Sequence, residues 1–323
     1  MKASFISRQQ EIRYIKHSFT EALCAQLNLT EVQAPLLTST TEGTQDTLSG
    51  YEKAVSVAVK SLQQEYEVVH SLAKWKRAVL GQYGFSEGEG IVAQMKALRP
   101  DEEQLSEIHS VLVDQWDWEQ VISSQQRSLE QLHNTVTKVY AALKTTLDSY
   151  QQSYQCAEPP LQLPEHIHFI TTEALRERFP LLSAKEREHA IAEEFKAVFI
   201  QGIGGKLSDG EIHDVRAPDY DDWQLNGDIL VWNPILQRSL ELSSMGIRVD
   251  RAALLQQLAA AGRSSAAEQP WHQLLLAEKM PQTVGGGIGQ SRLCMWMMQL
   301  PHIGYVQQGV WCPTTREQYA GLL

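Results

Sequence analysis

The stretch Val113-Asp114-Gln115-Trp116-Asp117-Trp118-Glu119 alternates side-chain character with a period of two. On a β-strand that period puts Gln115, Asp117 and Glu119 on one face, with Trp116 and Trp118 on the other. A strand with one aromatic face and one acid-amide face can pack a core below and hold a polar ligand above. It can equally be a half-solvated strand of an antiparallel sheet, and the spacing alone leaves both readings open. Working upstream, Gly90–Leu98 reads as a second strand, joined to Ser110–Trp118 by the polar stretch Arg99–His109. Working downstream, Glu119 to about Tyr154 holds neither Gly nor Pro and predicts one long amphipathic helix.

The rest of the chain alternates strands and helices without a fixed repeat. Arg8 to Leu27 carries Ile12, Ile15, Phe19, Leu23 and Leu27 at helical spacing, broken at Asn28. Thr30–Pro35 reads as a strand, Gly43–Gly50 as a polar turn, Val55–Val59 and Glu67–His70 as strands, and Lys74–Leu80 as a helix. After Pro159, Pro160 and Pro164 come a strand at His166–Ile170 and helices at Glu173–Phe179 and Ala184–Phe199. Gly202–Gly210 and His213–Trp223 look exposed. Asp228–Trp232 and Ser239–Val249 read as strands, Arg251–Leu258 and Pro270–Met280 as helices, and Pro281–Gly289 as a glycine-rich approach to a final helix, Gln290–Leu300. The pattern suits an α+β fold, a mainly antiparallel sheet flanked by helices, with residues 1–323 as one domain.

Whole-chain properties narrow the function. The 28 basic against 39 acidic residues give a net charge of −11, which disfavours nucleic acid as a partner. No apolar run approaches the roughly 20 residues of a membrane span, and the start lacks the apolar core of a secretory signal, so the expected location is cytoplasmic. Cys24, Cys156, Cys294 and Cys312 are scattered, with no C-x-x-C pair.

Two further constellations carry chemistry. Asp228 and Glu241 are each lone carboxylates in strongly apolar strands. Buried acids are costly unless paired or metal-bound, so these two either share Mg²⁺ or form ion pairs with Arg248 or Lys206. Gly285-Gly286-Gly287-Ile288-Gly289-Gln290-Ser291-Arg292 opens a helix, where glycines permit close approach of a ligand and Arg292 can reach a phosphate. The run fits neither a Walker nor a Rossmann pattern, and a tight turn is the plainer alternative. His213, Asp214, Asp219, Asp221 and Asp222 are read as loop residues near a cleft.

Taken in this order, the segments resemble the signature regions of class II aminoacyl-tRNA synthetase catalytic domains. Thr30–Pro35 is similar to the first motif, Arg99 with Asp101 to the second (with Asp for the usual Glu and an intervening Pro100), and Gly287–Arg292 to the third. Gln115, Asp117 and Glu119 match the Gln-x-Asp-x-Glu strand of the aspartyl and asparaginyl members. Within that superfamily the whole chain resembles the ammonia-dependent aspartate–ammonia ligase family, which makes L-asparagine from L-aspartate, ATP and ammonia through a β-aspartyl adenylate. The resemblance implies that Arg99 holds the α-phosphate and Arg292 lies along ATP, with Ser243 and Gly287 on the same side. Asp228 and Glu241 would organise Mg²⁺ at the triphosphate. Ser71, Lys76, Gln115 and Arg248 would surround aspartate, with Asp46 and Asp117 facing its amino group or the incoming nitrogen, and Arg99, Asp46 and Gln115 would carry the catalysis. A homodimer is implied in the same way.

The nitrogen donor follows from the residues themselves. Glutamine-dependent enzymes need a cysteine nucleophile at the mature N-terminus or on a Gly-x-Cys-x-Gly elbow, and none of the four cysteines is so placed. Free ammonia is therefore expected. Asp46 can bind ammonium and take its proton, or simply cap the Thr44–Ser49 turn. Two rival readings remain: a tRNA-charging enzyme with the same ATP machinery, and a non-catalytic relative that binds a partner.

Overall fold

The computed structural model of the protein describes residues 2–50, 52–101, 105–154 and 159–323. Glu102, beside the Arg99 segment, and Cys156 lie outside the described residues. In chain order the elements begin with α1 (Lys2–Leu27), β1 (Leu29–Val32), β2 (Leu37–Ser39), β3 (Ser56–Val59), β4 (Gln64–Val68) and α2 (Ala73–Gln82). β5 (Gly90–Leu98), β6 (Leu112–Ile122), α3 (Leu129–Ser153), β7 (His168–Thr171), α4 (Thr172–Arg178) and α5 (Ala184–Phe195) follow. The chain continues through β8 (Ala197–Gln201), β9 (Asp221–Asn233), β10 (Arg238–Arg248), α6 (Arg251–Ala260) and α7 (Pro270–Leu276). It ends with β11 (Gln282–Gly289), α8 (Gln290–Met297) and α9 (Pro313–Gln318).

Eight strands form one sheet in the order β1-β5-β6-β11-β10-β9-β8-β7. Only the outer pairs, β1 with β5 and β7 with β8, are parallel, so the mainly antiparallel sheet expected from the sequence is what forms. A small antiparallel sheet, β2-β4-β3, stands apart.

α1 forms because its apolar residues recur every three or four positions. Ile12, Ile15, Phe19, Leu23 and Leu27 are all buried, and Asn28 ends the helix in a left-handed conformation, φ 52°. Together with α3 and α8 it covers one sheet face, where Phe19 meets Trp116 with ring centroids 4.5 Å apart. Trp116 Nε1 donates to Thr20 Oγ1 at 2.8 Å, so this aromatic contact brings its polar atom to a partner. On the opposite face, α4 and α5 cover β8 and β9 through Leu175, Ile191, Val198, Ile200 and Leu230. Val69 and Leu72, leading into α2, pack on Ala93, Met95 and Ala97 of β5. The middle of that face is uncovered.

Four expectations need correction. The long helix does not begin at Glu119. β6 runs on to Ile122 because Glu119 is paired with Arg248 and Gln120 Nε2 donates to the Leu27 carbonyl at 2.6 Å, so polar side chains that suggest a solvated helix are interior strand residues. α5 stops at Phe195, where Lys196 takes φ 64°, and Ala197–Gln201 is a fully buried strand; a short apolar run fits either element by periodicity. The glycine-rich run is not a turn but strand β11, paired on both sides. His213–Trp223 is loop as far as Tyr220 but is exposed only at Asp214 and Val215: His213, Ala217, Asp219, Asp221 and Asp222 are buried.

Phe19 and Trp116 are both wholly buried, so truncating one leaves a cavity the sheet cannot fill. We expect Phe19→Ala to lower unfolding stability by about 3–5 kcal/mol in urea titrations; a loss below about 1 kcal/mol would show that α1 does not anchor the sheet.

Candidate active site

The uncovered strip is a cleft of about 840 Å³ floored by β6, β11 and β10. Its floor depends on β11 being glycine at alternate positions. Gly285 and Gly287 pair with Glu119 and Asp117 of β6 on one side and with Gly246 and Ser244 of β10 on the other. A Cβ at Gly285 would press into the Glu119 carboxylate and lie 2.6 Å from Arg248 Nη2; one at Gly287 would lie 2.5 Å from Gln115 Oε1. Arg248 of β10 therefore reaches over a bare strand to Glu119 of β6, with Nη2 and Nε donating at 2.7 and 3.0 Å.

That pair belongs to a buried network. Arg248 Nη1 also donates to Asp221 of β9. Lys76 of α2 pairs with Asp117, lies 3.6 Å from Glu119, and donates to the Trp118 carbonyl at 2.8 Å. The Leu72 amide donates to the other Asp117 oxygen at 2.9 Å. Burial pulls the Glu119 carboxyl upward, but Arg248 and Lys76 outweigh it and hold the group below its ordinary value. Glu119 and Asp221 keep the Arg248 guanidinium charged against its own burial, well above the usual range.

The other end of the cleft is short of negative charge. Arg99 Nε is buried with no partner, and the group sits below its ordinary pKa, chiefly from burial and then from the Arg292 charge. Arg292 donates to the Glu241 backbone carbonyl at 3.1 Å and lies 3.9 Å from its carboxylate. Two neighbouring cations with an unused donor suit an incoming anion.

The cleft brings together Ser71, Arg99, Gln115, Asp117, Glu241 and Arg248, with Gly287 and Arg292. Four expected residues lie elsewhere. Lys76 is wholly buried beneath Asp117 and holds it from below. Asp46 is wholly buried behind Ser71: its Oδ2 accepts from Ser71 Oγ at 2.6 Å and from the Ala73 amide at 2.7 Å, while Oδ1 has no partner. Burial raises the Asp46 carboxyl above its usual range, against Lys74 and Ser71. Asp228 is paired with Arg216 rather than with Arg248 or Lys206. Ser243 pairs across the sheet with Ile229 and Ile288 on the core face, because the ladder slips between Glu241 and Ser243; its neighbour Ser244 faces the cleft instead. Arg216, Tyr220 and Asp221, from the stretch read as a loop near a cleft without assigned roles, also line it, as does His109, which sequence reasoning missed. The first three carried one signal, the dense acid and arginine content of His213–Trp223.

Asp228 and Glu241 face each other across β9 and β10. Burial, opposed by Arg216 and reinforced by the Glu241 charge, pushes the Asp228 carboxyl up to about 8, and its Oδ1 has no partner. Glu241 is held below its ordinary value because Arg292 and Arg216 outweigh burial. A repelling carboxylate pair with an unused oxygen fits a divalent cation. Among the described residues no three acids or histidines form a metal cluster, so phosphate and water would supply most ligands, as magnesium prefers.

If the bare strand is what seats the network, Gly285→Ala must open the Arg248–Glu119 pair. We expect it to destabilise the protein by about 3–5 kcal/mol in thermal or urea unfolding, while Gly205→Ala, where a Cβ meets open space, changes stability by no more than about 0.5 kcal/mol. Equal, small effects would remove the structural role assigned to Gly285.

The fold is that of the class II synthetase catalytic cores. Asparaginyl-tRNA synthetase from Pyrococcus horikoshii complexed with asparaginyl-adenylate superposes with a TM-score of 0.67 at 16% identity, over 93% of this chain and 68% of that one. The Entamoeba histolytica asparaginyl-tRNA synthetase in complex with asparaginyl-adenylate gives 0.65 at 14%, over 94% and 66%. Aspartyl-tRNA synthetase from Entamoeba histolytica gives 0.61 at 14%, over 96% and 59%. The chain thus spans about two thirds or less of these neighbours. In sequence, the model of the aspartate-ammonia ligase family matches residues 6–322. With the whole cleft inside that match, the chain belongs to the aspartate-ammonia ligase family, enzymes that form a carbon–nitrogen bond.

Proposed function

We propose that this ligase joins L-aspartate to the AMP moiety of ATP through the β-carboxylate and lets free ammonia displace AMP, giving L-asparagine. One observation carries the reading: an anion-seeking pair, Arg99 and Arg292, shares a single cleft with the polar wall of Ser71, Gln115, Asp117 and Arg248. Two of the fold neighbours hold an asparaginyl-adenylate, which supports acyl-adenylate chemistry on this kind of sheet. We also read residues 1–323 as one catalytic domain and the active form as a homodimer. Among the described residues no helix is long and apolar enough to cross a membrane; cytoplasmic residence is part of the proposal.

In the first step a β-carboxylate oxygen attacks the α-phosphorus and the bond to the bridging oxygen breaks, releasing pyrophosphate. Arg99 would meet the α-phosphate with its unused Nε donor, and Arg292 the remaining phosphates. Asp228 and Glu241 would hold Mg²⁺, which supplies charge neutralisation for the departing pyrophosphate when bound. Gln115, Asp117, Ser71 and Arg248 would orient aspartate, with Lys76 fixing Asp117 from beneath, and Ser244 standing where Ser243 was expected. In the second step ammonium gives one proton to a carboxylate, and the lone pair of the resulting NH₃ attacks the acyl carbon. The bond to AMP oxygen breaks, and the second proton shed by nitrogen goes to the departing AMP phosphate while the carboxylate holds the first. Asp46 is the acid best suited to it, because burial has raised its proton affinity.

The direct test supplies ATP, Mg²⁺, aspartate and ammonium and measures AMP and asparagine, beside a tRNA-charging assay. Charging of tRNA without asparagine formation would favour the synthetase reading that the fold neighbours suggest. We expect Arg99→Ala to lower aspartate-dependent pyrophosphate exchange by about 10²–10³-fold. Asp46→Asn should leave exchange within about threefold of wild type and depress amide formation by at least about tenfold; equal loss of both would place Asp46 in aspartate binding instead.

The raised Asp228 pKa gives a pH signature. The folded value near 8 lies above the ordinary 3.8, so the folded protein holds a proton there that the unfolded chain has released. This contribution to stability is greatest at low pH and is lost as pH rises toward 8. Magnesium binding must displace that proton, so Mg²⁺ affinity in the presence of an unreactive ATP analogue should strengthen from about pH 6.5 toward about 8 and level off above. In Asp228→Asn the affinity should be weaker and its pH dependence flat; an unchanged slope in titration calorimetry would move the metal elsewhere.

A further inference from the structure

Behind the aspartate wall lies a second cavity of about 370 Å³. Its outer rim is formed by the exposed Thr40, Lys53 and Gln269, and its inner wall by the buried Asp46, His70 and Asp219. It is not a continuation of the nucleotide cleft. The two cavities share only Glu52 and His70 among their lining residues, and Asp46 stands in the partition. Its Oδ2 is bonded to Ser71, which lines the cleft, whereas its Oδ1 is buried, without a partner, in the residue that lines the second cavity.

We propose that this second cavity is the ammonium chamber of the enzyme, a way in for the nitrogen substrate that is separate from the ATP and aspartate mouth. The inference rests on the ligase reading above. Its chemistry is that of a small hydrogen-bond-donating cation. Three residues that line the chamber each carry a buried acceptor without a partner: Asp46 Oδ1, Asp219 Oδ1 and His70 Nε2. Glu52 and Glu67 add negative charge along the wall. The cations present are largely engaged or peripheral. Arg263 donates to Thr47 Oγ1 at 3.1 Å, Lys53 is exposed at the rim, and Lys74 beneath the floor is paired with Asp219 at 2.7 Å. An ammonium ion offers four N–H donors to such a wall, while aspartate and ATP, both anionic, are repelled by it.

The arrangement also answers a physical problem. Once ATP and aspartate fill the cleft, ammonia arriving by that route must pass the bound phosphates. From the chamber, ammonium reaches Asp46 from behind, gives one proton to the carboxylate, and continues past Ser71 as NH₃ toward the acyl carbon. The nitrogen keeps its lone pair, no electrons are transferred to or from it before attack, and the proton rests on Asp46. Backbone strain supports the rim geometry: Gly43 takes φ 73°, and a Cβ there would lie 2.7 Å from Gln269 Oε1, so the rim closes tightly on that side.

Narrowing the chamber without touching the cleft tests the proposal. Ala266, half-buried in the chamber wall on the short helical turn Ser264–Glu268, is replaced by Trp; Thr40→Trp at the rim serves as a second variant should Ala266→Trp fail to fold. Glu67→Gln removes a wall charge with little change of shape. We expect each soluble variant to keep aspartate-dependent ATP–pyrophosphate exchange and the KM for aspartate within about twofold, while the KM for ammonium rises by about tenfold or more. Hydroxylamine, a larger nucleophile that is mostly uncharged at neutral pH, should be penalised more than ammonium by the Trp variants and less by Glu67→Gln. If exchange is intact and the ammonium KM is unchanged in both a Trp variant and Glu67→Gln, the chamber is overturned and the adenylation reading stands. If wild-type protein shows no aspartate-dependent exchange, the adenylation reading falls and the chamber falls with it.

Discussion

A guanidinium on β10 reaches across an intervening strand to a carboxylate on β6, and much of the molecule is arranged so that it can. Arg248 and Glu119 are separated by β11, and only the missing side chain of Gly285 leaves room for them to meet. Both are buried, so each would be prohibitively unfavourable alone; Asp221 and Lys76 complete the charge balance on either flank. The network ties β6, α2, β9 and β10 together from beneath the cleft. It leaves Asp117 and Gln115 with fixed orientations, since Lys76 and the Leu72 amide hold the former and Gly287 makes space for the latter. A buried ion network contributes little net stability compared with an apolar core, but it tolerates few alternative geometries. Rigidity at the amino-acid end of the cleft follows from that intolerance.

The two ends of the cleft are electrostatic opposites for the same reason. Where the network lies, every charge has a partner before any ligand arrives, so a substrate there is oriented rather than captured. At Arg99 burial leaves a donor idle, and Arg292 beside it meets the Glu241 carboxylate only at 3.9 Å. On the proposed reading an anionic nucleotide would be drawn to that end, and the amino acid would be placed at the other. Aspartate and the α-phosphate are both negative, so bringing them together requires positive charge beside the phosphate and geometry beside the carboxylate. The division of labour along one sheet supplies both.

How much of this was legible beforehand depends on whether the signal was local. The α1 stripe from Ile12 to Leu27 could be read because helical burial repeats along one element. The polar face Gln115–Asp117–Glu119 could be read because strand alternation is equally local. Glu119 itself was placed on the right face and also, wrongly, at the start of a helix: its partner Arg248 lies 129 residues away in sequence, and nothing near Glu119 announces it. The glycine run suggested a turn because glycine is permissive; its actual reason, space for a neighbour's ion pair, exists only in three dimensions. Ser243 and Ser244 exchange roles through a register slip at Leu242 that inverts the faces, and a one-residue slip has no signature in composition. Arg216 was hidden in a segment that looked like loop, because what fixes it is Asp228 on a strand.

That last pair bears on how the empty site stays folded. Buried Asp228 and half-buried Glu241 repel one another, and without positive charge beside them the cleft face of β9 and β10 would carry two uncompensated charges. Arg216 answers one, and Arg292 with Arg216 answers the other, so the ligand-free cleft is held by arginines standing in the place of a metal–nucleotide complex. The compensation is incomplete: Asp228 still has an oxygen without a partner and a strongly raised proton affinity. On the proposed reading Asp228 and Glu241 would hold a divalent cation there, and it would supply positive charge to that oxygen in place of the proton. If the proposed ligands bind there, one set of positive charges would take the place of another, and the arginines are what let the acid pair persist in the ligand-free fold.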